Sequence, residues 1–209
     1  RQMCIRDRGH AGRSEGAGVN VDIHIAHHAT KPASIEKKYP SATIVDVTSK
    51  GPQPWVRFSP FYPLGGIPVP FTPGQTSESV EGIWQGLKVF ESAGVDPRML
   101  SNRTMRDLKR TQRRFGPTLG HRAGLEGQAL LPYLRARAEI YLPSYRWALD
   151  HKLQEELAEL RPLAQAGPLV LLDYETNTDP LNPAKPLSHA ALVRAYLLDE
   201  WPDMNSVLS

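Results

Sequence analysis

The sequence predicts an α+β domain, helix-rich, with a small sheet packed against helices. Three observations carry that expectation. Two β-type runs lie early, at residues 19–25 and 42–47, and a continuous apolar run lies late, at 169–174. Between them, several segments repeat apolar residues at helical spacing. The 209 residues, 40% apolar and 22% charged, suit one globular domain rather than a disordered chain. No stretch approaches the roughly 18 apolar residues of a membrane span, so no membrane partner is expected.

In chain order, residues 19–25 (VNVDIHI) alternate apolar and polar, the period of a half-buried strand. A short helix is expected over 33–39, stopped by Pro40. Residues 42–47 are β-branched and end at the turn-like Ser49-Lys50-Gly51-Pro52. From 51 to 74, seven prolines and four glycines interleave with Trp55, Phe58, Phe61, Tyr62 and Phe71. Such proline density forbids a helix, while the aromatics resist solvation. Ordered irregular chain is expected there, with short strands near 55–58 and 67–71.

A helix is expected over 77–92, followed by Gly94 as a stop. Asp96-Pro97 opens a second helical stretch, and 104–115 reads as a third, closed by Gly116-Pro117. Residues 130–142 and 144–163 read as long amphipathic helices divided or kinked at Pro143. Residues 169–174 suit a fully buried strand, 177–185 a loop and 187–198 a closing helix. Tyr141, Tyr145, Leu149, Leu153 and Leu157 recur at helical spacing and are expected in the core. The domain is placed at 19–200, after a disordered or non-native segment 1–18 and before a tail at 201–209. Residues 2–8 (QMCIRDR) resemble a translated sequencing adapter and are set aside. Cys4 is the single cysteine, which rules out a disulfide framework within the chain and makes a reducing, cytoplasmic setting the expectation.

The 77–92 segment carries the functional argument. At roughly 100° per residue, Val80, Ile83, Trp84, Leu87 and Phe90 share one apolar face. Gly82 and Gly86 share another, where a second element can approach closely. Glu81, Gln85 and Lys88 make a third stripe. Two glycines cost a helix about 1 kcal/mol each relative to alanine, so a helix that keeps them is expected to be enclosed. Glu81 then lines a crevice, between a helix N-terminus that favours its charge and burial that opposes it.

Ser79-Val80-Glu81-Gly82-Ile83-Trp84-Gln85-Gly86-Leu87-Lys88 resembles the S-V-E-x-x-(aromatic)-Q-x-x-K helix of the NADAR/YbiA-like N-glycosidases. Phe58-Ser59-Pro60-Phe61-Tyr62 resembles that family's aromatic loop, and Gly120-His121-Arg122 its Gly-Arg element. Residues 169–173 and 187–194 are similar to its late strand and closing helix. The resemblance covers about residues 43–198 and is specific only in the Glu81 helix. Over its whole length the chain also resembles a bacterial and phage family of unknown function. Two family elements are missing. The D-x-x-W-G element has no counterpart, since Asp179 is followed by Pro-Leu-Asn. The Arg-x-Asp-Trp element is at best Arg137-Ala138-Glu139-Ile140-Tyr141, with Tyr141 in place of the indole.

The resemblance implies cleavage of an N-glycosidic bond in an ADP-ribosyl adduct or a phosphorylated ribosyl-amine, without cofactor or metal. It implies Glu81 as the catalytic carboxylate, beside the oxocarbenium-like ribose of the transition state. Lys88, Arg57 and Arg122 are the implied phosphate ligands, with Gln85 beside them. Phe61, Tyr62, Trp55 or Tyr141 would stack on a base, and Asp173, Glu175 or Asp179 would orient ribose hydroxyls.

Charge distribution leaves another reading open. Residues 98–122 hold eight of the 25 Lys and Arg against one acid, Asp107. On a helix, Arg103, Arg106, Arg110, Arg113 and Arg114 would form a basic stripe suited to DNA or RNA. The alternatives are therefore a non-catalytic nucleic-acid binder and a nucleotide-binding module without chemistry. His24, His27 and His28 lie in or beside a strand-like segment without an H-E-x-x-H pattern, so they are not expected to hold a metal.

Overall fold

The computed structural model describes residues 21–204. Segment 1–18 with Cys4, residues 19–20, and 205–209 of the expected tail lie outside the described residues.

β1 (Ile23–His27), α1 (Pro32–Lys38) and β2 (Thr43–Asp46) open the fold. An irregular stretch follows, with a 3-10 turn at Trp55–Phe58 and the short strands β3 (Ile67–Pro68) and β4 (Thr76–Ser77). Next come α2 (Val80–Leu87), β5 (Lys88–Phe90), a 3-10 turn at Pro97–Ser101, α3 (Gln112–Phe115), β6 (Thr118–Arg122) and β7 (Leu130–Leu131). The chain then turns helical through α4 (Tyr133–Ala136), a π-helical turn at Arg137–Tyr141, α5 (Leu142–Lys152) and α6 (Gln154–Ala166). β8 (Leu169–Asp173) and α7 (His189–Leu197) complete this α+β domain.

β8 lies between β1 and β2, parallel to both. Its run of Leu169, Val170 and Leu171 is fully buried, as a central parallel strand covered on both faces requires. A second, antiparallel sheet runs β5-β6-β7. The core joins Val80, Ile83 and Leu87 of α2 to Tyr145 and Leu149 of α5, and to Leu157 and Leu160 of α6.

Gly82 and Gly86 face the Pro97–Ser101 turn, as the expected close approach requires. A Cβ on Gly82 would lie 2.7 Å from the Met99 carbonyl oxygen. One on Gly86 would lie 3.3 Å from a Leu100 methyl.

Several elements differ from the expectation. The first strand begins at Ile23 and extends to His27, following its register against β8. The helix expected over 77–92 starts after its N-cap Ser79, whose side chain accepts from Gly82 N–H at 3.0 Å. It ends at Leu87, because residues 88–90 pair with β6 and tertiary pairing overrides the periodic pattern. The 104–115 helix is reduced to α3. Ahead of it, the Asn102 amide and Thr104 hydroxyl hydrogen-bond to the Arg106 carbonyl, competing with a helical ladder, and Met105 and Asp107 have positive φ. Trp55–Phe58 is a 3-10 turn rather than a strand, with Arg57 N–H donating to the Pro54 carbonyl. The strand at 67–71 stops at Pro68, since Pro68 and Pro70 bring no N–H to a ladder. In the 130–142 segment Leu130 and Leu131 form β7, and the helix starts only at Tyr133. It then passes through Pro143, which sits in the first turn of α5, where the π turn has already displaced the i→i−4 ladder. The interruption falls instead at Leu153, with φ −121° and ψ 17°.

Candidate active site

A cavity of about 330 Å³ lies beyond the carboxyl ends of β2 and β8, where open parallel sheets commonly take ligands. α2 supplies Glu81, Trp84 and Gln85, and β5 begins with Lys88. The 58–62 loop supplies Phe61. Two hydrogen bonds fix that loop: Glu81 N–H donates to the Pro60 carbonyl at 2.8 Å, and the Tyr145 hydroxyl to the Phe58 carbonyl at 2.6 Å.

Glu81 is 8% exposed. Gln85, one turn on, donates its amide to Glu81 Oε1 at 2.8 Å, and Gln85's own oxygen accepts from Arg110 N–H at 3.0 Å. The rotamer of the carboxyl is thus set by a chain of two side-chain bonds. Burial raises the Glu81 pKa above its ordinary range, against the bond from Gln85 and the charge of Lys88. Burial also lowers the Lys88 ammonium, against the attraction of Glu81. Burial thus works against the charged form of both groups, while each charge favours the other.

Aromatic rings wall the cavity. Trp84 meets Tyr133 edge-on at 5.9 Å and Tyr141 at 5.6 Å, and it stacks on His121 with centroids 3.7 Å apart and planes 30° from parallel. Tyr133, Arg137 and Tyr141 all line the cavity although eight residues separate the first from the last. In an α-helix a step of four residues drifts by roughly +40°. In a π turn, at roughly 82° per residue, the same step drifts by about −33°. The π turn at Arg137–Tyr141 cancels the α drift and returns Tyr141 to the face of Tyr133. Arg137, 1% exposed, fastens the opposite wall. It donates to the carbonyls of Pro180, Asn182 and Lys185 at 2.6, 2.9 and 3.0 Å, and to the Tyr133 hydroxyl at 2.9 Å.

Asp173 closes β8 and is 2% exposed. Its Oδ2 accepts from the Ser188 hydroxyl at 2.7 Å and Ala190 N–H at 3.2 Å, and pairs with His189 Nδ1 at 3.0 Å. His189 Nε2 lies 2.8 Å from the Val47 carbonyl. Both partners of the imidazole accept only, so both nitrogens carry hydrogen and the ring is an imidazolium. Burial works against both charges, yet the contact outweighs it: Asp173 is held well below the usual carboxylate range and His189 is raised above 6.5.

Of the residues expected at the site, Glu81, Gln85, Lys88, Phe61, Tyr141, Asp173 and Glu175 line the cavity. Asp173 holds the start of α7, leaving its acceptors engaged within the protein. The other expected residues lie elsewhere. Arg57 pairs with Glu156 and donates to the Lys152 carbonyl. Tyr62 packs against Arg57 and accepts from Gln53. Trp55 packs on the core and Arg122 donates to the Gly127 carbonyl. Asp179, exposed, shapes its own loop by accepting from Leu181 N–H. The basic stripe is also altered. Arg110 is buried and donates to the carbonyls of Gln85, Lys88 and Gly94, so it cannot face a polyanion. Arg103 pairs with Glu78, while Arg106, Arg113 and Arg114 are exposed on a loop and the short α3 rather than on one helix. His24 stacks on Tyr39 and contacts Asp22, and His28 packs against Tyr174.

Lys109, Tyr133, Arg137, Tyr174 and His189 line the cavity without having been singled out for it. Among the described residues no cluster of three or more His, Cys, Asp or Glu could hold a metal, and no helix is long and apolar enough to cross a membrane. No curated protein and no solved structure matches the chain. The model of DUF6939, described as a family of unknown function, matches residues 27–193, and the chain belongs to that family.

Proposed function

We propose that the chain is an N-glycosidase-type hydrolase acting on ADP-ribosyl adducts or phosphorylated ribosyl-amines, with Glu81 as the catalytic carboxylate. The observation that carries the reading is a buried carboxyl, fixed by Gln85, at an aromatic-walled cavity edged by lysines. The likeness of residues 79–88 to the N-glycosidase helix supports it.

In the proposed reaction the C–N bond at the anomeric carbon breaks toward an oxocarbenium-like ribose. Ionised Glu81 stabilises that charge and takes a proton from water as the water oxygen bonds to the anomeric carbon. The leaving nitrogen departs with the bonding pair and takes up the proton that Glu81 received from water, which returns the carboxylate to its ionised form. Lys88 and Lys109, which have no ion pair among the described residues, would meet phosphate. Tyr141 and Phe61 offer faces to a planar ring.

The test is Glu81→Gln, assayed for ADP-ribose release from ADP-ribosylated DNA and protein and for cleavage of a ribosyl-amine 5-phosphate. A fall of about 10²–10⁴-fold with unchanged circular dichroism is expected. An unchanged rate in the variant, or no turnover by wild type together with no ADP-ribose shift of the melting temperature, overturns the reading. The nucleotide-binding module without chemistry predicts the melting shift without turnover. For the nucleic-acid binder, the exposed residues Arg106, Arg113 and Arg114 are the ones to reverse in charge, and unchanged DNA and RNA binding would remove that reading.

A further inference from the structure

A second cavity, of about 340 Å³, lies against the first, and Lys88 and Tyr133 line both. The Trp84–His121 stack stands between them, since Trp84 lines the first and His121 the second. His121 is 1% exposed, and neither of its ring nitrogens has a hydrogen-bond partner among the described residues. A buried polar group left unpaired costs about 1–3 kcal/mol, and native folds keep such groups where something else satisfies them.

We propose that this second chamber is a ligand subsite for a neutral planar heterocycle carrying adjacent hydrogen-bond donor and acceptor groups, with His121 as its reader. The inference rests on the hydrolase reading only for what occupies the neighbouring cavity. Burial and the charge of Lys88 keep His121 neutral, pushed down to about 3, so the ring offers one donor and one acceptor. Gln112 and Thr118 add an amide and a hydroxyl to the same wall. The Tyr133 hydroxyl accepts from Arg137, which leaves its own proton to give. The side chains sharing the chamber with His121 include exposed Leu119, 54% accessible. Lys88, at the boundary, suits an anionic group joining a lobe in each chamber. The chamber keeps its shape through β6: a Cβ on Gly120 would lie 2.5 Å from the Leu131 carbonyl oxygen.

His121→Phe keeps a flat ring on Trp84 and deletes both nitrogens. Calorimetric titration with adenosine 5′-monophosphate, which has base, ribose and phosphate, is compared with ribose 5-phosphate, which lacks the base. For the monophosphate we expect about tenfold weaker binding to His121→Phe than to wild type. Ribose 5-phosphate should bind wild type and His121→Phe alike. The ¹⁵N resonances of the His121 ring should move on adding the monophosphate. Should His121→Phe fail to fold, Gln112→Ala, on the exposed side of the chamber, serves with a smaller loss expected. Equal monophosphate affinity in wild type and variant, with ribose 5-phosphate still bound, overturns the subsite and spares the Glu81 reading. A His121-dependent affinity without any N-glycosidic turnover keeps the subsite and sinks the hydrolase. Binding of neither probe sinks the subsite, and the hydrolase reading then rests on its own turnover assay.

Discussion

Replacing Gly82 and Gly86 by alanine, one at a time, sets two physical effects against each other. On helix propensity alone each change should stabilise α2 by about 1 kcal/mol. The surroundings separate them. The added methyl of Gly82→Ala would sit 2.7 Å from the Met99 carbonyl oxygen and 2.8 Å from Ser77 Oγ. Met99 belongs to a 3-10 turn, and the Ser77 hydroxyl is itself tied to the carbonyls of Ser79 and Leu100, so relief requires backbone movement. Overpacking of that kind costs about 1–3 kcal/mol, and shifting the turn also strains these bonds. A net loss of about 2 kcal/mol is expected, or roughly 4–8 °C in melting temperature for a domain of this size. At Gly86 the methyl would meet a Leu100 methyl at 3.3 Å and the Asp96 carbonyl at 3.4 Å. A flexible side chain can give there, so Gly86→Ala should lie within about 1 kcal/mol of wild type. Urea denaturation with a common slope measures both. A Gly82→Ala protein as stable as wild type, or a Gly86→Ala protein losing more than Gly82→Ala, would refute the tight seam between α2 and the Pro97–Ser101 turn.

Three further outcomes follow from the same geometry. Because burial holds the proton on Glu81 to higher pH than in the unfolded chain, ionising it costs stability as pH rises from the ordinary 4.5 through its raised value. Glu81→Gln should therefore gain stability over wild type as pH rises above about 4.5, a gap read from urea midpoints and absent at the acid end. Asp173→Asn should cost about 3 kcal/mol by stranding the buried imidazolium, and should move the His189 titration, followed by NMR, downward. The sign differs for each wild-type partner: Asp173 loses its contribution as pH falls below 3.8, and His189 loses its own as pH climbs from 6.5 through its raised value. Arg110→Met should cost about 2–4 kcal/mol by leaving three carbonyls without their charged donor, whereas Arg113→Ala should stay within about 0.5 kcal/mol in the same urea assay.

What the sequence made legible were features recorded locally. The buried strand at 169–173 announces itself because a covered parallel strand needs no polar alternation. Gly82 and Gly86 betray a neighbour because nothing else rewards two glycines in a helix. Glu81 and Gln85 are legible because a four-residue step puts them on one turn. Features that depend on distant partners were not. Lys88 continues a helical pattern, yet pairing with β6 makes it a strand, and the cavity wall it joins does not require a helix. Arg110 looks like part of a cationic stripe until the carbonyls of Gln85, Lys88 and Gly94 are brought around it. Arg57 is absorbed by Glu156, about a hundred positions along the chain, and no spacing rule reaches that far.

The π turn shows how these levels connect. Pro143 lies where a regular helix would lack an N–H donor, and the sequence alone makes it a break. The structure places it just after a turn whose ladder has already slipped, so the missing donor falls where little is lost. The slip also returns Tyr141 to the face shared by Tyr133 and Arg137. Without it the drift of a regular helix would carry Tyr141 roughly 80° away from Tyr133, off the edge of Trp84. Arg137, at the start of the turn, then reaches across to three carbonyls of the loop opposite. One irregularity in hydrogen bonding thus sets two aromatic walls and fastens a third around Glu81, in a part of the chain where no single residue announces a site.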